Sequence, residues 1–110
     1  MKRATRVSRP VPELCGRFHR ASELIGRRWT GAIVAVLLET GPLRFRQIAQ
    51  AVPDLSDRLL AERMRELETR GLVTRTELEV GVEYALTEMG RDLEAAVTEL
   101  RAWARRWLAR

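Results

Sequence analysis

The sequence predicts a small, mostly helical α+β domain, and three observations carry that prediction. The chain has 110 residues, of which 45% are hydrophobic and 32% charged, the balance of a single globular domain. Apolar residues recur at helical spacing in four segments before Gly71 and again after Thr87. Residues 72–86 change to a β-branched, partly alternating pattern. We expect a flexible basic arm over residues 1–12 and one folded domain over residues 13–110.

The first two predicted helices have clear ends. Residues 13–25 place apolar side chains on one face, and Gly26 then favours a helix stop because glycine tolerates the left-handed conformation. Residues 29–39 are apolar on most sides, which is typical of a buried helix. Gly41 and Pro42 follow directly and prevent its continuation.

The next two predicted helices are short and joined by a tight turn. The third spans residues 45–52, and Pro53 begins the turn. Ser56 is a suitable N-cap for the fourth helix, which runs to about Arg70 and ends at Gly71. The core stripe of that helix, at helical spacing, is Leu60, Met64 and Leu67. Its opposite face carries Arg58, Ala61, Glu62 and Arg65.

A β-hairpin and a long helix complete the predicted order of elements. Residues 72–78 and 82–86 form the two strands, with a tight turn at Gly81. Thr87 caps a final helix that we expect to run from Glu88 to about Leu108. Two short helices followed by a hairpin form a winged helix-turn-helix. A four-turn helix fits the major groove of DNA, where outward side chains reach base edges.

The charge of the chain is unevenly distributed. The formal net charge is +5, which favours an anionic partner such as nucleic acid. Residues 1–28 hold eight basic and two acidic side chains, a balance of +6, whereas residues 44–75 hold seven and five, a balance of +2. The arm therefore either follows DNA phosphates or is a solvated tail, and the sequence leaves both interpretations open.

Several classes of protein are excluded by residues that the sequence lacks. One cysteine and one histidine cannot form an intrachain disulfide or a cysteine-based zinc site. The longest apolar run, residues 32–38, is far shorter than the ~20 residues that span a bilayer, and no secretory signal is present. Neither a phosphate-binding glycine loop nor a Ser-His-Asp set is found. We expect a soluble cytoplasmic protein that is not an enzyme and that uses no cofactor or metal.

Motifs in a fixed order resemble those of HxlR-type winged-helix transcriptional regulators. They are Leu24-Ile25-Gly26-Arg27-Arg28-Trp29, Gly41-Pro42-Leu43-Arg44-Phe45, Leu55-Ser56 with Leu59-Leu60, Arg65-Glu66-Leu67-Glu68 with Gly71-Leu72-Val73, and Val82-Glu83-Tyr84-Ala85-Leu86-Thr87-Glu88-Met89-Gly90. Cys15 and Trp103 also lie where that family usually has a cysteine and an aromatic residue. The resemblance covers about residues 13–105. It implies a homodimer that binds an inverted repeat in double-stranded DNA, mostly as a repressor, with dimerisation helices at both ends of the domain.

The last helix independently favours dimerisation. Its apolar stripe is too wide for one buried face on so small a domain, and exposed tryptophans are unfavourable in a monomer. The expected dimer contacts are Leu14, Phe18, Leu93, Val97, Leu100, Trp103 and Trp107. The alternative is that the first helix covers this stripe within one chain.

The expected DNA contacts lie at the start of the third helix, on the fourth helix and at its entry, and in the hairpin. They are Arg44, Arg46, Ser56, Asp57, Arg58, Ala61, Glu62, Arg65 and Arg75. Alternatively, Glu62 and Glu66 only pair with Arg58 and Arg70 on the helix surface. The hairpin departs from the family pattern because three glutamates make its tip acidic. Its contact with phosphate is therefore in doubt.

Cys15 is the candidate redox sensor, since some HxlR-type regulators sense oxidants or electrophiles through a cysteine at this position. Neighbouring Arg17, His19 and Arg20 favour a thiolate. A free cysteine is equally a small buried hydrophobe, and the family's usual Cys-Pro is Cys-Gly here. A small-molecule effector is compatible with the sequence, which does not identify it. The alternative function is a winged-helix module that binds protein and not DNA.

Overall fold

A computed structural model describes the backbone of residues 14–109 and the side chains of residues 16–109. The predicted arm, residues 1–12, lies outside the described residues. The elements in chain order are α1 (Leu14–Gly26), α2 (Thr30–Thr40), β1 (Leu43–Arg44), α3 (Phe45–Ala51), α4 (Asp57–Thr69), β2 (Val73–Glu77), β3 (Val82–Leu86), α5 (Glu88–Arg91) and α6 (Glu94–Trp107). Most boundaries lie within one or two residues of the predicted ones, which is the scatter expected at helix ends.

The hydrophobic core lies between α2, the α3–α4 pair and the sheet. Helix α2 buries Ile33, Val34 and Leu37, as predicted from a helix that is apolar on most sides. Helix α4 buries the predicted stripe of Leu60, Met64 and Leu67, each at most 1% exposed. Burying each such side chain stabilises the fold by about 1.5–3 kcal/mol, which fixes the inner face of α4.

The ends of α4 are fixed by local hydrogen bonds. The Ser56 hydroxyl accepts a bond from the Leu59 amide at 3.2 Å, so the predicted N-cap is confirmed. Gly71 has φ 83°, and the Leu72 amide donates to the Leu67 carbonyl at 2.9 Å. This Schellman-type ending needs a left-handed residue at Gly71 and turns the chain directly into the hairpin.

The sheet has three antiparallel strands in the order β1-β3-β2, one more than predicted. Strand β1 pairs Leu43 with Tyr84, and β2 pairs Val73 with Leu86. The sequence prediction missed β1 because two residues are too short to show alternation. We call β2, β3 and the turn residues 78–81 the wing.

The prediction of one continuous last helix is wrong. The helix breaks between α5 and α6, where the Leu93 amide bonds to the Gly90 carbonyl, three residues back, at 3.2 Å. Asp92 and Leu93 have ψ values of −8° and −4°, so the turn tightens there. The bend brings Leu93 against the core.

Trp29 does not begin a helix as predicted. It has φ 75° and precedes α2, while the Thr30 amide donates to the Arg27 carbonyl at 2.9 Å. A bulky side chain in the left-handed region is a genuine outlier, so the corner between α1 and α2 is tightly constrained.

Candidate nucleic-acid interface

Helix α4 presents one buried face and one open face. Arg58 and Arg65 are exposed, and neither takes part in an ion pair among the described side chains. Ala61 and Glu62 are half-buried beside them. The structure therefore brings together the four predicted outer residues of α4 and leaves the two arginines among them available to a ligand.

The residues at the entry of α4 contact each other. Arg46 of α3 places Nη1 3.0 Å from Asp57 Oδ2, while Ser56 caps the helix. Asp57 also lies in the first turn, where a negative charge is stabilised by the helix dipole. Arg46 and Asp57 therefore join α3 to the start of α4, while Ser56 caps α4 itself.

Both predicted basic residues of the wing region contact the protein itself. The Arg44 guanidinium donates to the Val80 carbonyl in the wing turn. Arg75 Nη1 lies 3.4 Å from Glu77 Oε2. Tyr84, which pairs with Arg75 across the two strands, is the main cause that raises the pKa of Arg75, followed by Glu77. Because Glu77 and Glu79 are exposed, the wing tip presents negative charge.

Sequence reasoning missed a group of side chains on the inner side of α4. Arg27 Nε donates to both carboxylate oxygens of Glu66, at 2.9 and 3.1 Å. Arg63 is only 7% exposed, and its Nε donates to the Arg28 carbonyl at 2.9 Å. We call Arg27, Arg28, Arg63 and Glu66 the corner tie, since they join α4 to the α1–α2 corner.

The sequence held one signal for the corner tie. Arg63 lies between core residues Leu60, Met64 and Leu67, so a charged side chain falls on the buried stripe of α4. The partner of Glu66 was not predictable, because Arg27 is 39 residues away. The bond from Arg27 lowers the pKa of Glu66, and the same bond raises the pKa of Arg27. The alternative pairs of Glu66 with Arg70 and of Glu62 with Arg58 are absent among the described ion pairs.

A cleft of about 970 Å³ separates the end of α1 from α4. Glu62 and Arg65 of the predicted DNA-contacting set line it, together with Arg27, Glu66 and Arg70. The cleft is thus continuous with the open face of α4.

An exposed apolar surface lies on the outer helices. Leu93 and Val97 pack against the core, whereas Phe18, Leu100, Trp103 and Trp107 are 71%, 58%, 47% and 70% exposed. We call these four exposed residues the apolar face. The alternative, in which α1 covers the stripe within one chain, is therefore wrong for the outer half of α6. The side chain of Leu14 lies outside the described residues.

The candidate redox sensor is only partly described. The backbone of Cys15 lies in α1, and its side chain falls outside the described residues. His19, one turn further along, places Nε2 3.4 Å from Glu23 Oε2. Within the described part of the chain, no three His, Cys, Asp or Glu side chains gather as metal ligands would. No helix in that part has the length and apolar character needed to cross a membrane.

Comparison with known proteins supports this interpretation of the fold and identifies the family. A family model for the HxlR-like helix-turn-helix matches residues 24–110. The chain is 43% identical to the HTH-type transcriptional regulator YodB of Bacillus subtilis (strain 168) over 94 residues, covering 83% of each protein. It is also 41% identical over 99 residues to YvaP of the same organism, named an HTH-type transcriptional regulator, covering 87% of this chain and 91% of YvaP.

Solved structures give the same result. The crystal structure of quinone-bound YodB from B. subtilis matches with a TM-score of 0.76 and 42% identity, covering 84% of this chain and 99% of that one. The redox regulator HypR in its oxidised form matches with a TM-score of 0.77 and 30% identity, covering 86% and 99%. The predicted winged helix-turn-helix fold is confirmed, as is the predicted family resemblance.

Proposed function

The chain belongs to the HxlR-like helix-turn-helix family and is a DNA-binding transcriptional regulator, and from that premise we propose that it acts as a homodimeric repressor on an inverted-repeat operator in the cytoplasm. Regulation, and not catalysis, is its proposed role. The observation that carries the proposal is α4, a capped helix with a buried stripe on one side and two available arginines on the other. Its 13 residues make a rod of about 20 Å, which the major groove admits.

Each predicted contact takes a role from its chemistry and position. Arg58 and Arg65 suit bidentate bonds to guanine, while Glu62 suits a bond from the cytosine amino group. Ala61 is small enough for contact with a thymine methyl group. Because Arg44 and Arg75 both contact residues of the wing, we propose that they stabilise its conformation.

The proposed homodimer rests on the apolar face. Phe18 on α1 and Leu100, Trp103 and Trp107 on α6 would remain in water in a monomer, and exposed apolar surface of this kind is typical of protein interaction sites. A second copy of the chain covers the same residues by two-fold symmetry. That symmetry places two α4 helices about 34 Å apart, or a multiple of it, and so demands an operator with two inverted half-sites.

Selection of duplexes from a random DNA pool tests the proposed function. We expect enrichment of an inverted repeat whose half-site centres lie about 10–10.5 base pairs, or a multiple, apart. Enrichment of single half-sites would contradict the dimeric arrangement. A pool that stays random after repeated selection would instead favour the protein-binding alternative.

We also propose that oxidants or quinones release this regulator from DNA through Cys15. The similarity of the chain to quinone-bound YodB and to the redox regulator HypR in its oxidised form supports the proposal. Diamide takes up two electrons and two protons as two thiols join. Since the chain has one cysteine, the resulting disulfide links two protomers or one protomer and a small thiol.

The expected result is that diamide weakens operator binding of the wild type at least tenfold and leaves Cys15→Ser unchanged. Gel-shift titrations with and without diamide, followed by reduction with dithiothreitol, measure this effect. Gly16→Ala is a matched neighbour that keeps the thiol and should respond as the wild type does. An identical response of Cys15→Ser and wild type would show that the thiol is not the sensor.

A further inference from the structure

The corner tie joins the DNA-reading helix to the end of α1, at the edge of the cleft. We infer that the corner tie holds α4 in the orientation that binds DNA. Arg63 and Glu66 then set operator affinity without contacting DNA, and they couple the position of α4 to that of α1. This inference rests on the proposed reading of DNA by α4. Its physical basis is a pair of directional contacts from one side of α4 to a rigid corner.

Arg63 provides the buried half of the tie. Its Nε donates to the Arg28 carbonyl at 2.9 Å, and its Nη1 lies 3.6 Å from Glu66 Oε1. Nη1 is buried with no hydrogen-bond partner among the described residues. A buried charge stabilises a fold no better than a well-packed apolar side chain would. At this position an arginine adds a directional hydrogen bond, which fixes the orientation of α4 relative to the α1–α2 corner.

Arg27 and Glu66 provide the exposed half. Arg27 Nε contacts both oxygens of the carboxylate, at 2.9 and 3.1 Å, although both side chains are about half exposed. Exposed ion pairs add little stability, about 0.2–1 kcal/mol. Losing this pair should therefore leave the protein folded while releasing one restraint on the orientation of α4.

The α1–α2 corner is tightly constrained, so it cannot deform easily when α1 moves. Trp29 is held at φ 75°, and the Arg28 guanidinium lies 5.3 Å from the centre of its ring. The Thr30 amide closes the turn on the Arg27 carbonyl. A displacement of α1, which carries Phe18 of the apolar face, therefore reaches α4 through the tie.

The test compares Glu66→Ala with Glu68→Ala, an exposed glutamate on the same helix that makes no ion pair among the described side chains. Both changes remove one negative charge, which alone strengthens attraction to phosphate. We expect Glu66→Ala to bind the selected operator about three- to fivefold more weakly, which is the upper part of the range of an exposed pair. Glu68→Ala should bind as tightly as wild type or more tightly.

The double variant Arg27→Ala/Glu66→Ala separates positioning from charge, because its net charge equals that of the wild type. We expect its loss on the operator to be at least as large as that of Glu66→Ala, because it lacks the gain in attraction to phosphate, with binding to random duplex unchanged. Operator affinity restored to the wild-type value in the double variant would overturn the inference, as would equal affinities of Glu66→Ala and Glu68→Ala.

Two further measurements distinguish a change in DNA binding from unfolding of a variant. Circular dichroism and thermal unfolding establish that each variant is folded at the titration temperature. Arg27→Ala, changed on the corner and not on α4, provides an independent variant should Glu66→Ala unfold. If wild-type protein selects no operator, the proposed function fails. If it selects one and the tie variants do not differ from their controls, only this inference fails.

Discussion

Replacing Gly90 with alanine is expected to destabilise the domain by at least about 3 kcal/mol, beyond the usual cost of overpacking. A Cβ at this position would overlap the carbonyl oxygen of Leu72 and lie 2.9 Å from Leu86 Cδ2. That carbonyl already accepts a bond from the Thr87 amide at 3.0 Å, so it cannot move aside freely. Gly90 therefore permits the close approach of α5 to Leu72, the residue that precedes strand β2.

Urea unfolding followed by circular dichroism measures this loss. Gly16→Ala is the matched control, because a Cβ there meets nothing within 4 Å. Within helix α1, that control should be neutral or stabilising by up to about 1 kcal/mol. A Gly90→Ala protein as stable as the control would show that α5 does not pack against Leu72 as described.

Replacing Trp103 with glutamate is expected to weaken dimerisation at least about a hundredfold. The side chain is 47% exposed in the single chain and lies beside a surface hollow lined by Ala96, Glu99 and Leu100. Buried aromatic residues dominate protein interfaces, with losses of 2 kcal/mol or more on truncation. A carboxylate brought into the same interface adds a desolvation cost.

Sedimentation over a concentration series measures the dimer dissociation constant. Val80→Glu makes the same change of an exposed apolar residue to glutamate, but in the wing turn, where the side chain is 74% exposed. That variant should dimerise as the wild type does. Dimers of equal affinity in Trp103→Glu and Val80→Glu would place the interface elsewhere.

Much of the fold was predictable because each local signal agrees with the packing. Ser56 caps α4 as predicted, and the spacing of Leu60, Met64 and Leu67 correctly identified its buried face. Gly71 and Gly81 both adopt positive φ where the sequence predicted a helix stop and a turn. These features depend on residues close together in the chain, which is why sequence patterns reveal them.

The features that the sequence did not predict depend on distant contacts. Strand β1 exists because the edge of β3 can pair with Leu43 and Arg44, some 40 residues earlier. The break before α6 accompanies the packing of Leu93 against core residues distant in the chain. The ion pair between Arg27 and Glu66 joins residues 39 apart, so no local rule identifies it.

The function was predicted by the order of elements and by motifs, not by the overall charge. The positive excess lies mainly in residues 1–28, while the wing tip is acidic. Within the described residues, Arg58 and Arg65 on the open face of α4 are the side chains that we propose to contact DNA bases. The basic arm stays a prediction, since residues 1–12 lie outside the described part of the chain.

The ratio of operator affinity to random-duplex affinity tests the central claim, that α4 reads DNA bases, most directly. The variant is Arg58→Ala/Arg65→Ala, and Arg105→Ala/Arg106→Ala on α6 is the control that loses the same two charges. We expect the α4 variant to lose operator affinity by about 1–3 kcal/mol per arginine and most of its specificity. The control should keep the wild-type ratio. Equal ratios in the two variants would contradict base reading by α4.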